Sequence, residues 1–175
     1  DDCQAAVKEV NADAEFKRKY KLGAINSINW ARIAAQVVYY VWAYLQAARS
    51  EDDTVSFAVP SGNFGNALSA HVARKMGARI HQLLVCTNAN DVLDQFFRSG
   101  VYRVRKGVEV KATSSPSMDI ASASNFERYI FDLMDRNSQT IRNLWSRVNK
   151  GEAFDIGRVR SFIEERMLRT ASGSA

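Results

Sequence analysis

Hydrophobic positions recur at helical spacing over residues 30–45. The i, i+3, i+4 pattern of an amphipathic helix is formed by Trp30, Ile33, Ala34, Val37, Val38, Val41, Tyr44 and Leu45. The most apolar stretch of the chain, 33–48, overlaps this helix and is interrupted by Gln36 and Gln46. A membrane-spanning helix needs about 20 residues with few polar breaks, so we interpret the stretch as a buried helix and expect no membrane partner.

Short apolar runs alternate with helical patterns in the middle of the chain. The runs at 54–59 and 79–86 are rich in β-forming residues, which predicts two strands. Each is followed by a helical pattern that ends at a glycine, Gly77 or Gly100. The order strand, helix, strand, helix favours a parallel sheet with crossover helices. The predicted fold class is therefore α/β.

The two ends of the chain have mainly helical patterns. Residues 2–20 are predicted to be helical, with Val7 and Val10 as core contacts. Towards the C-terminus we predict a short strand within 101–111 and helices at 125–136, 140–149 and 158–169. We expect residues 1–155 to belong to one large domain and residues 156–175 to form a helical extension with a flexible tail.

Composition and charge limit the classes of function. The 175 residues are 46% hydrophobic and 25% charged, as is typical of one soluble globular domain. The net charge of +5 includes basic clusters at 17–21 and 103–107. Such clusters form either solvated faces or a nucleic-acid patch. Because no nucleic-acid motif accompanies them, we expect no nucleic-acid partner.

Cysteines and histidines are few. Cys3 and Cys86 form no Cys-x-x-Cys pair and indicate no disulfide framework. This low cysteine content fits a reducing compartment. The acidic N-terminus resembles neither a signal nor a transit peptide. We therefore predict a cytoplasmic location. His71 and His81 have no partner at metal-ligand spacing, and we expect no metal site.

The join between the first predicted strand and its helix, residues 60–66, reads PSGNFGN. Gly62 and Gly65 can adopt backbone angles closed to other residues, and they allow a ligand to approach the main chain. The amide groups that open the following helix suit a phosphate. Three neighbours can add side-chain donors: Ser61, Asn63 and Asn66.

This loop differs from known nucleotide loops. It is neither Gly-x-Gly-x-x-Gly nor a triphosphate loop, because no Gly-Lys-Ser/Thr occurs. Its neutral donors suit one terminal phosphate. The alternative is a tight turn with an asparagine cap, since glycine, asparagine, serine and proline are ordinary turn residues.

PSGNFGN resembles the cofactor-phosphate loop of the threonine synthases of the bacterial and fungal type. These enzymes belong to the fold-type II pyridoxal-phosphate family and are related to tryptophan synthase β. Further tags occur in the family's order over residues 1–155: NSINWARIAAQ (26–36), KMG (75–77), TNAND (87–91), SPSMDI (115–120) and SNFER (124–128).

The resemblance implies a partial three-layer parallel sheet with crossover helices, like that of tryptophan synthase β. It implies a pyridoxal-phosphate-dependent lyase that converts O-phospho-L-homoserine and water into L-threonine and phosphate. The small-molecule substrate is then the expected partner, and the oligomeric state stays open. The implied cofactor-binding residues are Ser61, Gly62, Asn63, Phe64, Gly65 and Asn66.

The other tags have two interpretations. Asn26, Ser27, Asn29 and Arg32 either contact the substrate, with Arg32 on its phosphate, or cap and begin a helix. Thr87, Asn88 and Asp91 are expected to shape a strand-to-helix turn. Ser124, Asn125 and Glu127 fit a capped helix start.

The resemblance also implies a Schiff-base lysine in a Phe-Lys-Asp motif, which we expect upstream of this chain. Phe16-Lys17 is followed by Arg18, and we interpret Lys17 as a solvated residue. We therefore predict no catalytic residue here and an inactive fragment of the enzyme. The alternatives are a non-catalytic phosphate- or cofactor-binding module, or another fold-type II lyase.

Overall fold

The computed structural model describes residues 2–23, 25–157 and 168–172. The helices are α1 (Asp2–Ala12), α2 (Ala14–Tyr20), α3 (Trp30–Ala47), α4 (Gly65–Lys75), α5 (Val92–Ser99), α6 (Phe126–Leu133) and α7 (Ser138–Asn149). The strands are β1 (Val55–Pro60), β2 (Ile80–Thr87), β3 (Val101–Tyr102), β4 (Phe154–Asp155) and β5 (Leu168–Ser172). Two short 3-10 helices span Gly107–Glu109 and Pro116–Met118.

A parallel sheet with the order β1-β2-β5 positions the central elements. Val59 of β1 lies opposite Val85 of β2, and Pro60 lies opposite Cys86. Strands β2 and β5 are also parallel, and α4 is the crossover helix between β1 and β2. The predicted α/β fold with parallel strands is confirmed. The short strands β3 and β4 form a separate antiparallel pair.

Helix α3 buries one face only. Ile33, Val37 and Tyr40 are buried, and α3 packs against α4. The opposite face exposes Val38, Tyr39, Trp42 and Leu45. The expectation of a buried helix holds for this one face only, because a single neighbouring layer covers only one stripe of a helix. In the part of the chain that the structure describes, none of the helices has the length and hydropathy that a bilayer span requires.

The N-terminal helical region is divided in two. Asp13 separates α1 from α2, and its side chain accepts a hydrogen bond from the amide of Phe16, as an N-cap does. Val7 is 50% exposed and Val10 is 44% exposed. The prediction that these two valines are core contacts was therefore wrong.

Two C-terminal helices also differ from the prediction. Helix α6 ends at Leu133, because Asp135 and Arg136 have φ angles of 50° and 59°, in the left-handed region that breaks a helix. The helix predicted over 158–169 lies mainly outside the described residues. Where the structure resumes, Leu168–Ser172 is a strand and not helix or tail. The domain boundary at 155 stays a prediction.

An aromatic cluster fills the core beside the sheet. Phe126 is fully buried, with its ring centroid 5.3 Å from Phe64, 4.8 Å from Phe96 and 4.9 Å from Tyr102. Edge-to-face pairs such as the first two are favourable beyond the area they bury. The cluster therefore joins the loop after β1 to α5, α6 and β3.

A charged contact links α4 to α6. His71 Nε2 and Lys75 Nζ lie 2.7 Å and 2.6 Å from Asp132 Oδ2, and Arg136 donates to Oδ1. Burial lowers the pKa of His71, and its hydrogen bond to Asp132 opposes that shift. Burial alone would raise the pKa of Asp132, but hydrogen bonds from its three partners hold it well below its ordinary range.

We expect Asp132→Asn to lower the free energy of unfolding by about 1–3 kcal/mol at pH 7, because the three donors lose a charged acceptor. The pKa of Asp132 is depressed in the fold. Its contribution is therefore complete above an ordinary carboxyl pKa and is lost as the pH falls below about 4. Urea unfolding at pH 7 and pH 3 measures this difference. Glu51→Gln, in an exposed turn, is the control. A difference that stays constant between the two pH values would contradict the assignment.

Candidate phosphate-binding site

The loop of residues 61–64 starts where β1 ends. The amide of Ser61 donates to the carbonyl of Cys86 at 2.9 Å, which extends the β1–β2 pairing by one bond. Phe64 then occupies the N-cap position of α4. The loop therefore lies at the carboxyl edge of the parallel strands, where ligands bind in open α/β sheets.

Phe64 fixes the turn of this loop. Its φ of 62° and ψ of 4° are left-handed, which costs a residue with a side chain about 1–2 kcal/mol. Its ring is fully buried, with centroids 5.3 Å from Phe126 and 5.2 Å from Tyr129. Burying a phenylalanine ring contributes about 1.5–3 kcal/mol. Core packing therefore stabilises a backbone conformation that the residue would otherwise avoid.

The expectation that Gly62 and Gly65 adopt special backbone angles was wrong. Among the described glycines, those with positive φ are Gly77, Gly100 and Gly151, so neither Gly62 nor Gly65 uses a special backbone angle. A Cβ on Gly62 would lie 3.1 Å from Met118 Cα. A Cβ on Gly65 would lie 3.3 Å from Asn125 Nδ2 and 3.4 Å from Ile33 Cδ1. Glycine fits here because neighbouring segments approach closely, and an added Cβ would require them to shift by a few tenths of an ångström.

The amide groups of residues 62–67 have no acceptor within the described part of the chain. The first turn of any helix has N–H groups without an intrahelical partner, and a capping side chain usually satisfies one of them. Phe64 at the N-cap cannot do so. The result is a run of unsatisfied donors at the positive end of the α4 dipole, which suits an anion.

A cavity of about 140 Å³ lies beside these donors. It brings together two parts of the sequence, and its lining is Ser27, Arg32, Ile33, Gln36, Pro60, Ser61, Gly62, Asn63, Gly65 and Asn66. The Ser61 hydroxyl is buried without a hydrogen-bond partner among the described residues. Arg32 is exposed and forms no ion pair within that part of the chain. The cavity therefore offers neutral donors inside and one cation at its edge.

Tyr40 orients the side chain of Asn66. The Tyr40 hydroxyl donates to Asn66 Oδ1 at 2.7 Å, so the carbonyl oxygen of this side chain is occupied and its NH₂ group remains a donor. Burial raises the pKa of Tyr40 to about 12, and the hydroxyl keeps its proton over the whole physiological range. Asn66 is thus held as a hydrogen-bond donor at the cavity.

Asn125 is a residue whose role the sequence did not predict. It is fully buried, and its Nδ2 donates to the carbonyl of Ser27 at 2.8 Å while its amide donates to the carbonyl of Asn63 at 3.0 Å. Arg128 donates to Asn125 Oδ1 and to the carbonyl of Ile28, both at 2.6 Å. Asn125 occupies the predicted cap position of α6, but the expected capping bond was wrong, because its side chain makes none. Instead it joins the two halves of the cavity.

The substrate candidates separate into two groups. Ser27 and Arg32 line the cavity. Asn26 accepts the amide of Ile28 at 3.0 Å, and Asn29 caps α3 through the amide of Ala31 at 2.9 Å. The structure does not bring Asn26 or Asn29 to the cavity lining, and their geometry is that of caps.

Two further residues are placed by the structure. Gln36 lines the cavity and was missed, although it was visible as a polar break in the apolar pattern of the helix. Lys17 lies exposed in α2, as expected of a solvated residue.

Sequence comparison finds similarity to threonine synthases. No protein-family model matches this chain. It is 56% identical over 156 residues to the threonine synthase of Methylobacillus glycogenes and 57% identical over 145 residues to that of Corynebacterium glutamicum. The matches cover 89% and 83% of this chain but 33% and 30% of those proteins. The chain thus spans about a third of the length of the curated relatives it matches.

Comparison with solved structures also finds similarity to threonine synthases. The solved structure of PLP-bound threonine synthase from Brucella melitensis matches with a TM-score of 0.87 and 40% identity. The match covers 99% of this chain and 36% of that one. The predicted fold-type II architecture is confirmed, as part of the complete fold.

Replacing Phe64 tests whether its ring holds a left-handed turn. Phe64→Ala should lower the free energy of unfolding by about 3–5 kcal/mol. Phe64→Gly should be less destabilising than Phe64→Ala by about 1 kcal/mol, because glycine tolerates the positive φ. Urea unfolding in a constant concentration of stabilising osmolyte provides the measurement.

Phe96 provides the matched control, since it is fully buried inside helix α5. At Phe96 the order should reverse, and Phe96→Gly should lower the free energy of unfolding by about 1 kcal/mol more than Phe96→Ala does. The same order at both positions would show that Phe64 has no left-handed strain to relieve.

Proposed function

We propose that this chain, which is related to threonine synthases along about nine-tenths of its length, forms the cofactor-phosphate site of an enzyme of that family. The activity we propose is the pyridoxal-phosphate-dependent lyase reaction that converts O-phospho-L-homoserine and water into L-threonine and phosphate. Because the chain spans about a third of its relatives, we assign turnover to a protein of the relatives' length. The isolated chain is expected to bind without turnover.

The observation that carries the proposal is the donor set around the cavity. The amides of residues 62–67 lack acceptors within the described part of the chain, and the buried Ser61 hydroxyl lacks a partner there. Leaving a buried polar group such as the Ser61 hydroxyl unsatisfied costs about 1–3 kcal/mol, so this hydroxyl indicates a ligand. The helix-start amides beside it suit an anion. A phosphate monoester has enough acceptor oxygens for both. The residues present therefore fit the phosphate of pyridoxal phosphate.

Each part of the loop has its own task in holding that phosphate. The amides of Gly62 to Asn66 bind its oxygens, Ser61 donates through its hydroxyl, and the α4 dipole stabilises the negative charge. Phe64 takes part through its main chain only, since its ring is in the core. The bound cofactor supplies an electron sink for carbanions on the substrate. The chain's contribution is to fix the position of that group.

Arg32 is the best candidate for the substrate's own phosphate. Arg32 lines the cavity and has no ion-pair partner in the described structure, and arginine binds phosphate through two parallel hydrogen bonds. Ser27 lines the same cavity. We assign no substrate contact to Asn26 or Asn29, because their side chains cap the backbone. A cytoplasmic location and the oligomeric state stay predictions.

Titration with pyridoxal phosphate, inorganic phosphate and pyridoxal tests the assignment by calorimetry. We expect the two phosphates to compete for one site and pyridoxal to bind at least about tenfold more weakly, since each hydrogen bond to a charged group contributes about 1.5–3 kcal/mol. Ser61→Ala should weaken both phosphates about 10- to 100-fold. Ser56→Ala, exposed on β1, should bind as the unaltered chain does. Equal affinity for pyridoxal and pyridoxal phosphate would exclude the phosphate cradle.

Borohydride reduction of the chain with bound pyridoxal phosphate tests the predicted absence of the Schiff-base lysine. We expect peptide mapping to show only scattered, low labelling over the lysines. Lys17 and Lys75, both exposed, serve as internal references for non-specific labelling. Stoichiometric labelling of one lysine would place the reactive residue within this chain and refute the prediction.

A further inference from the structure

The carboxylate of Asp119 receives four hydrogen bonds. Thr113 donates to it through its hydroxyl at 2.7 Å and its amide at 2.8 Å. The side-chain amides of Asn88 and Asn90 donate to Asp119 Oδ1 at 2.7 Å and 3.0 Å. Hydrogen bonds to an ionised acceptor are about twice as strong as neutral ones. Asp119 is therefore the centre of a network that joins two distant segments.

Both asparagines of the network belong to the end of β2. Asn88 directly follows the strand, and both side chains are buried, at 5% and 2% exposure. Asn90 also exchanges two hydrogen bonds with the backbone of Lys111, at 2.8 Å and 2.9 Å. Segment 111–119 is thus attached to the carboxyl edge of the sheet. The expected strand-to-helix turn at 87–91 therefore also binds a distant segment of the chain through Asn88 and Asn90.

The residue next to Asp119 touches the phosphate loop. A Cβ on Gly62 would lie 3.1 Å from Met118 Cα and 3.6 Å from Met118 Cβ, and Ile120 Cγ2 is also at 3.6 Å. Close packing of this kind transmits a displacement, because interiors have few voids to absorb it. Any shift of residues 118–120 away from the sheet would therefore remove the contacts that Met118 and Ile120 make with Gly62.

These contacts connect the loop after β1 to the end of β2 by two separate routes. Strand β1 leads to Gly62, which touches Met118. Asp119 is bound to Asn88 at the end of β2, and β2 is tied to the loop by the bond from Ser61 to Cys86. Asp119 itself is not part of the cavity lining. Its effect on a ligand would have to pass through Met118.

We propose that Asp119 is a positioning residue for the phosphate loop, because its network with Asn88, Asn90 and Thr113 holds Met118 against Gly62. The inference rests on the proposed function of the loop. It assigns a role to the TNAND (87–91) and SPSMDI (115–120) segments, which are separated by residues 92–114 of the sequence. Both would be needed for a preorganised phosphate site.

The test compares affinities for inorganic phosphate and pyridoxal phosphate by calorimetry in the 175-residue chain. Asp119→Asn retains the shape of the side chain and removes its charge, and should raise both dissociation constants about tenfold. Thr113→Val removes one donor from the network and should act in the same direction if Asp119→Asn does not fold. Thermal unfolding is recorded for every variant.

Glu109→Gln is the matched control. Glu109 ends one short 3-10 helix, and Asp119 directly follows the other. The Glu109 carboxylate also accepts hydrogen bonds, from Arg103 and from the amide of Lys106, but it has no place in the network around Asp119. It should leave both affinities unchanged. An equal loss of affinity in this variant would show that general loop stability, and not positioning, is responsible.

A double variant separates positioning from mere stability. Gly62→Ala pushes on Met118 from the other side of the same contact. If Asp119 acts through Met118, the affinity losses of Asp119→Asn and Gly62→Ala should be clearly less than additive. Additive losses, or unaltered binding in Asp119→Asn and Thr113→Val, would overturn the inference and leave the proposed function intact. Failure of the unaltered chain to bind either phosphate would overturn both.

Discussion

Burial of the Phe64 ring is the constraint on which the proposed phosphate loop, residues 61–66, depends. The ring lies in the aromatic cluster beside Phe126 and Tyr129, and the Phe64 backbone is left-handed at the N-cap of α4. A polar N-cap would satisfy one of the first amides of the helix, whereas phenylalanine leaves them all to a ligand. The same residue thus anchors the loop in the core and keeps its donors free of protein acceptors.

Contacts from distant segments complete the cavity around that anchor. Asn125 holds the Ser27 turn against Asn63, and Tyr40 turns the side chain of Asn66. Neither interaction is local in sequence, yet both act on residues that line the cavity. Several fixed supports of this kind make a preorganised site, in which the donors lose little freedom when an anion binds.

The sequence predicted what depends on local patterns. The runs at 54–59 and 79–86 correspond to β1 and β2, and Gly100 ends α5 in a left-handed conformation as expected. The short tags also predicted a phosphate loop at 60–66, and the structure places that segment at the carboxyl edge of the sheet. What the sequence could not show depends on long-range packing. The left-handed Phe64, the close approach at Gly62 and the bridging role of Asn125 each require knowledge of which segments meet. Likewise, the exposed face of α3 cannot be told from its buried face by hydrophobicity alone.

Backbone amide chemical shifts during titration with inorganic phosphate test the central claim most directly. The account predicts saturable shifts that are largest at residues 62–67, whose amides have no acceptor in the described structure, together with Ser61. Shifts spread over the basic clusters at 17–21 and 103–107, with residues 62–67 unaffected, would show non-specific attraction to positive charge. That result would contradict the assignment of this loop as the phosphate site.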